Sequence, residues 1–200
     1  NRFVESPRVD GLALAGTRFT HAFTPWPVCT PARATMWTGV YPHQHGVIDN
    51  VYGINDAFES HSHVKTTVID RVHAAGYLTA HFGKWHLGER QPAGFDVWEE
   101  SFNSRQGHWI DGKRDGVYRP DQQTAASVSF LQAQRGAQQP FLMVQSYYPP
   151  HDPYTAPERF YAPYRGKGIP FAGYYAAVTA LDACTGDILD TLEQTGLRDN

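Results

Sequence analysis

Charge is sparse in this sequence and long apolar runs are missing. Only 18% of the 200 residues are charged, and the formal net charge is −3. No run of five or more basic residues occurs, so the sequence carries no footprint for nucleic acid or for an anionic membrane surface. No apolar stretch approaches the roughly 20 residues that a transmembrane helix needs. Cysteine is nearly absent too: Cys29 and Cys184 allow one disulfide or none, and so few leave the compartment open. There is no internal repeat and no low-complexity tract, and no signal peptide falls within the given residues, an absence that excludes little. The chain starts at Asn1 rather than Met and stops at Asn200 without a recognisable terminus, so it is expected to be an internal part of a longer protein.

What is present is globular. Hydrophobic residues make up 41% of the chain and aromatics 14%, which suits one domain or a large part of one. Ser6 to Leu14 reads as a helix, capped by Ser6, with Pro7 in its first turn and Gly16 as its stop. Arg18 to Phe23 alternates as a strand, and a second helix is expected from about Pro31 to Thr38. A helix over about 66–75 feeds a strand over 77–82, and a helix over about 121–134 precedes a buried strand over 141–146. From Phe171 to Leu192, large apolar residues recur at three- and four-residue spacing, giving a long amphipathic helix that Gly196 ends. Helices alternating with strands imply an α/β fold with a mainly parallel sheet. The segments 89–119 and 149–170 read as long, aromatic-rich loops.

In such a sheet, ligands bind beyond the carboxyl ends of the strands. Three polar clusters follow strands directly: Cys29 to Arg33, Gly83-Lys84-Trp85-His86, and His151-Asp152-Pro153-Tyr154. Parallel strands would bring all three to one rim. Thr30 as N-cap and Pro31 as first helical residue would set Cys29 at the positive end of a helix, where free N–H groups favour an anion. Arg33, one turn on, adds a cation able to pair bidentately with oxyanions.

The pattern Cys29-x-Pro31-x-Arg33 is expected by chance only about 0.01 times in a chain of this composition. Thr38-Gly39 and Tyr41-Pro42-His43-Gln44-His45-Gly46 follow it. Gly76 to Gly88 reads GYLTAHFGKWHLG, and Pro150-His151-Asp152-Pro153-Tyr154 forms a third block. Together these resemble the type I sulfatase family, from about Ser6 to the last residue. The resemblance implies a three-layer αβα sandwich of the alkaline phosphatase-like kind, incomplete here, with residues 1–200 as part of the catalytic domain.

It also implies an activity: hydrolysis of sulfate monoesters through Cys29 oxidised to Cα-formylglycine, with a covalent sulfo-enzyme intermediate. By resemblance, modified Cys29 is nucleophile and metal ligand, and Arg33 stabilises its hydrated form. Lys84 binds a sulfate oxygen, His86 is the base, and His151 contacts the ester and protonates the leaving oxygen. The family's metal is Ca²⁺, held by oxygen donors. Its Asp and Asn ligands are expected outside this chain, and Asp199-Asn200 is not assigned to them, so the 200 residues alone are expected to be inactive. Further implications are a sulfated small molecule or glycan as substrate, a formylglycine-generating enzyme as maturation partner, and a periplasmic or secreted location.

Other groups draw blander readings. The pairs His43/His45 and His61/His63 lack partners at zinc-site spacing and are expected to be structural or to line the substrate rim. Asp182 and Asp187 are expected to cap or pair locally, Cys184 to sit in the core, and a Cys29–Cys184 disulfide not to form. Trp98, Trp109, Tyr118, Tyr154, Phe160, Tyr161 and Tyr164 are available to stack on sugar or aryl rings. Two alternatives stay open: a phosphonate or phosphate ester hydrolase of the same superfamily, and a catalytically silent sulfate- or glycan-binding homologue.

Overall fold

A computed structural model describes residues 3–50, 62–88, 90–100, 108–112 and 116–199. The chain divides into two compact units, one of residues 19–102 and 138–146, the other of residues 1–18, 103–137 and 147–200.

The first unit is built on a parallel sheet. Strand β1 (Leu78–Gly83) lies between β2 (Val97–Glu100) and β3 (Phe141–Ser146), with Ala80 opposite Val97 and Met143. Among the described residues three helices accompany it: α2 (Cys29–Thr38), α3 (Pro42–His45) and α4 (Val68–Ala74). Thr67 caps α4 by accepting from the Asp70 N–H, while Asp70 accepts in return from the Thr67 N–H at 2.6 Å. Ala34, Trp37, Val47, Ile69, Trp85, Leu87 and Phe95 form the core, and Trp98, Leu142 and Val144 pack on it. The α/β class and the parallel sheet are as the sequence implies. β2 falls where a loop was expected.

One expected strand is missing. Residues 18–23 form no strand, and Phe19 and Phe23 are 78% and 87% exposed. Alternation alone does not make a strand: its backbone needs a ladder partner, and no described residue supplies one.

The second unit is helical, with α1 (Pro7–Ala15), α5 (Arg119–Ala133), the short α6 (Glu158–Tyr161) and α7 (Ala172–Thr195). α7 packs against the other three. Gly196, in the left-handed conformation at φ 73°, ends it. The stripe of large residues expected to face inward is not the most buried one. Phe171 and Tyr174 are exposed, whereas Gly173, Ala176, Ala177, Ala180 and Cys184 are buried. Close approach is the reason: a Cβ on Gly173 would lie 2.2 Å from the Tyr154 carbonyl oxygen.

Ser6 makes no side-chain cap on α1. The buried carboxylate of Asp182, from α7, accepts instead from the Arg8 and Val9 N–H groups at 3.1 and 2.8 Å. Asp182 thus caps, but a distant helix rather than its own turn. Both cysteines are free, and burial pushes the Cys184 thiol up to about 11. No described helix is long and apolar enough to cross a membrane.

Candidate active site

β1 delivers the centre of the site. After Gly83, at φ 107°, the chain turns through Lys84-Trp85-His86-Leu87. Trp85 and Leu87 are 4% and 1% exposed and belong to the core, which fixes the intervening Lys84 and His86. Burying each apolar anchor contributes about 2 kcal/mol. The Trp85 ring packs edge-on against Phe95 at 5.8 Å and lies 5.3 Å from Trp37 of α2. The Cys29 helix and the lysine loop therefore share one aromatic core.

His86 has φ 60°, a left-handed conformation that costs a non-glycine residue about 1 kcal/mol or more and persists only where neighbours enforce it. Its side chain is buried.

α2 begins at Cys29 itself, with Val28 as N-cap, rather than at Pro31 with Thr30 as cap. The Thr30 N–H donates to Asn50 Oδ1 at 2.9 Å, and Pro31 has no N–H. Free backbone donors at this helix end are therefore fewer than the sequence suggests. Positive charge near Cys29 comes chiefly from side chains. Lys84 Nζ lies 3.5 Å from Cys29 Sγ. Arg33, on the same helix one turn on, donates through Nη1 to the Lys84 carbonyl at 2.6 Å and to Ser146 Oγ at 3.0 Å.

Burial holds the Arg33 guanidinium below its ordinary value, with Cys29 opposing. Lys84 is likewise lowered, chiefly by burial; Arg33 pushes the same way and Cys29 opposes. Two partly desolvated cations beside one sulfur make a pocket for negative charge at residue 29. That pocket suits the oxygens of a hydrated aldehyde at this position as well as it suits a thiolate. It does not suit a divalent cation by itself. Among the described residues, no three His, Cys, Asp or Glu side chains cluster where they could hold a metal.

The sulfatase family model matches residues 2–200. The chain belongs to the sulfatase family. It is 31% identical to an ulvan-active sulfatase from Formosa agariphila, over 98% of this chain and 44% of that protein. An N-acetylglucosamine-6-O-sulfatase from Bacteroides thetaiotaomicron is 32% identical over 74% of this chain and 26% of that protein. A solved structure from the same species, of a locus for metabolism of multiple glycosaminoglycans, superposes with a TM-score of 0.81 at 25% identity. It matches 97% of this chain, which spans 51% of that one. The fold is thus the alkaline phosphatase-like one of the sulfatases, and this sulfatase chain spans less than half the length of its curated relatives.

Of the five site residues expected from the sequence, the structure brings Cys29, Arg33 and Lys84 together and sets His86 in the same buried loop. His151 belongs to the helical unit, where its ring is 42% exposed and Nδ1 lies 2.7 Å from Asp152 Oδ1.

Most of the candidate stacking residues prove to be core. Trp109, Tyr118 and Tyr164 are buried in the helical unit, Phe160 and Tyr161 pack on them, and Trp98 packs on the sheet unit. Tyr154 alone of the seven is exposed, at 46%. His45 is fully buried and bonded to Thr35 Oγ1 at 3.0 Å, hence structural. His43 is exposed and stacks on Tyr41. His63 is exposed as well, and His61 lies outside the described residues.

Sequence reasoning missed Asn50 and Ser146. Ser146 had a signal, as the last residue of a strand whose carboxyl end faces the site. Asn50 had none.

Proposed function

We propose that the whole protein hydrolyses sulfate monoesters, with residue 29 as the nucleophile after oxidation of Cys29 to formylglycine by a maturation enzyme. The observation that carries this reading is the pair of cations, half-buried Arg33 and buried Lys84, joined through a network that includes Ser146, with the Lys84 ammonium 3.5 Å from Cys29 Sγ. Formylglycine, when present, supplies a hydrated aldehyde whose oxygen can attack sulfur and whose second hydroxyl can release sulfate.

The chain's own residues do the rest. Arg33 and Lys84 hold negative charge on the oxygens at residue 29 and on the sulfate, and partial burial strengthens that hold. His86, by the resemblance, takes the proton from the residue-29 hydroxyl. His151 gives one to the leaving oxygen. Ca²⁺ would be held by residue 29 together with carboxylates from outside these 200 residues, so the chain alone is expected to be inactive. Residues 1–200 make up part of one catalytic domain.

Relatives named as ulvan-active and N-acetylglucosamine-6-O-sulfatases support a sulfated carbohydrate as substrate. Such a substrate suits a protein that works in the periplasm or outside the cell. The test is turnover by the parent protein, co-expressed with a formylglycine-generating enzyme, on aryl sulfate, sulfated sugars and a phosphonate ester. Sulfate release supports the reading. Preferred phosphonate cleavage would overturn it in favour of the esterase alternative, and no turnover with intact formylglycine would favour a silent binding protein.

A further inference from the structure

Arg33 and Lys84 are like charges near one another, and the Arg33 charge depresses the affinity of Lys84 for its proton. Something must hold them against that repulsion. Ser146, at the carboxyl end of β3, meets both. Its hydroxyl oxygen accepts from Arg33 Nη1 at 3.0 Å, and its carbonyl accepts from the Lys84 N–H at 2.7 Å. The Lys84 carbonyl in turn accepts from the same Arg33 nitrogen at 2.6 Å. The three residues close a ring of hydrogen bonds that ties helix α2, the loop after β1 and the end of β3.

We propose that Ser146 is a positioning residue, acting through Arg33 to hold the guanidinium against residue 29. The proposal rests on the sulfatase reading for its catalytic consequence, but not for the contact it assigns. The lysine side of the ring uses the Ser146 backbone and survives side-chain replacement. The arginine side uses the hydroxyl alone. Removing it leaves Arg33 Nη1 with only the Lys84 carbonyl, and the fork is then free to swing about that single bond. Thr keeps a hydroxyl on the same carbon, so Ser146→Thr retains the bond that Ser146→Ala loses.

The test is a double-mutant cycle in the full-length parent protein, with formylglycine content measured by mass spectrometry in each variant. Ser146→Ala is expected to lower kcat about 10-fold with KM within about 2-fold, and Ser146→Thr to recover to within about 3-fold of wild type. In an Arg33→Ala background, Ser146→Ala is expected to cost nothing further. A second readout needs no turnover. In protein made without the maturation enzyme, alkylation of Cys29 by the anionic reagent iodoacetate, which the Arg33 guanidinium steers towards it, is expected to slow about 3-fold in Ser146→Ala, and not at all once Arg33 is Ala. Full additivity with Arg33→Ala in both readouts, or a Thr variant as impaired as the Ala variant, would overturn the assignment. A parent protein that turns over no sulfate ester would refute the function while leaving the alkylation cycle able to support or refute the role of Ser146.

Discussion

Arg33 on helix α2 donates to the carbonyl oxygen of Lys84 at 2.6 Å, so one cation of the site grips the backbone that carries the other. The charge at residue 29 is thus set by a joint between two elements, rather than by two independent side chains.

That joint makes Arg33 irreplaceable by lysine. The guanidinium uses Nη1 for Lys84 O and Ser146 Oγ and has two further nitrogens with which to face an oxyanion, whereas an ammonium keeps the charge but has one nitrogen for all of these. In the parent protein, Arg33→Lys is expected to lower kcat/KM roughly 100-fold, a loss of about 2.7 kcal/mol of transition-state stabilisation. Steady-state kinetics on an aryl sulfate reads it. A loss below about 3-fold would show that charge alone suffices.

Lys84 separates charge from packing. It is 5% exposed and its ammonium stands 3.5 Å from Cys29 Sγ. Lys84→Met keeps an unbranched stem and removes the cation, so turnover should fall by about 10² to 10³ while the folded state survives. The formylglycine content should be unchanged, which mass spectrometry of the residue-29 peptide checks.

His81 provides a pH test of the core. Its ring lies 4.8 Å from Trp98, stacked, and is also packed by Trp37, Trp85 and Phe95. Burial pushes it down from 6.5 to about 3, with the Arg33 charge acting the same way. Between those values the unfolded chain binds a proton that the folded chain does not. Stability from this residue is therefore full above pH 6.5 and falls as pH drops towards 3, by at most about 1.4 kcal/mol per pH unit. Denaturant melts of wild type and His81→Phe from pH 7 to pH 4 should converge on a shallower slope for the variant. Equal slopes would contradict the assignment.

Gly173 tests the small-residue face of α7. A Cβ there would sit 2.2 Å from the Tyr154 carbonyl oxygen, and backbone cannot yield as a flexible side chain can. Although alanine is the better helix former, Gly173→Ala is expected to destabilise the parent protein by about 3 kcal/mol, read from the denaturation midpoint. A stabilised variant would show that the helices are not so closely set.

The strength of the sequence lay where local chemistry decides. Gly16, Gly39, Gly76 and Gly196 punctuate helices close to where they stop, and β3 has the bounds that its apolar run implies. The spacing of Cys29, Pro31 and Arg33 with the Lys84 loop was enough to name the family. What stayed hidden depends on neighbours. Phe19 and Phe23 alternate like a strand but have no described partner, and the buried side of α7 is set by the approach of Tyr154 rather than by the size of its residues. Asn50 caps Thr30 from twenty positions away, and Ser146 reaches Arg33 from over a hundred, so neither bond has a local signature.

The central claim is that residue 29 becomes an aldehyde nucleophile inside a cationic pocket. Its most direct measurement is the mass of the peptide containing residue 29, from parent protein co-expressed with a formylglycine-generating enzyme and assayed for sulfate release. The account predicts conversion of the Cys29 thiol to the aldehyde, with sulfate release proportional to the converted fraction across preparations. Sulfate release at full rate from protein carrying only unmodified Cys29 would contradict it.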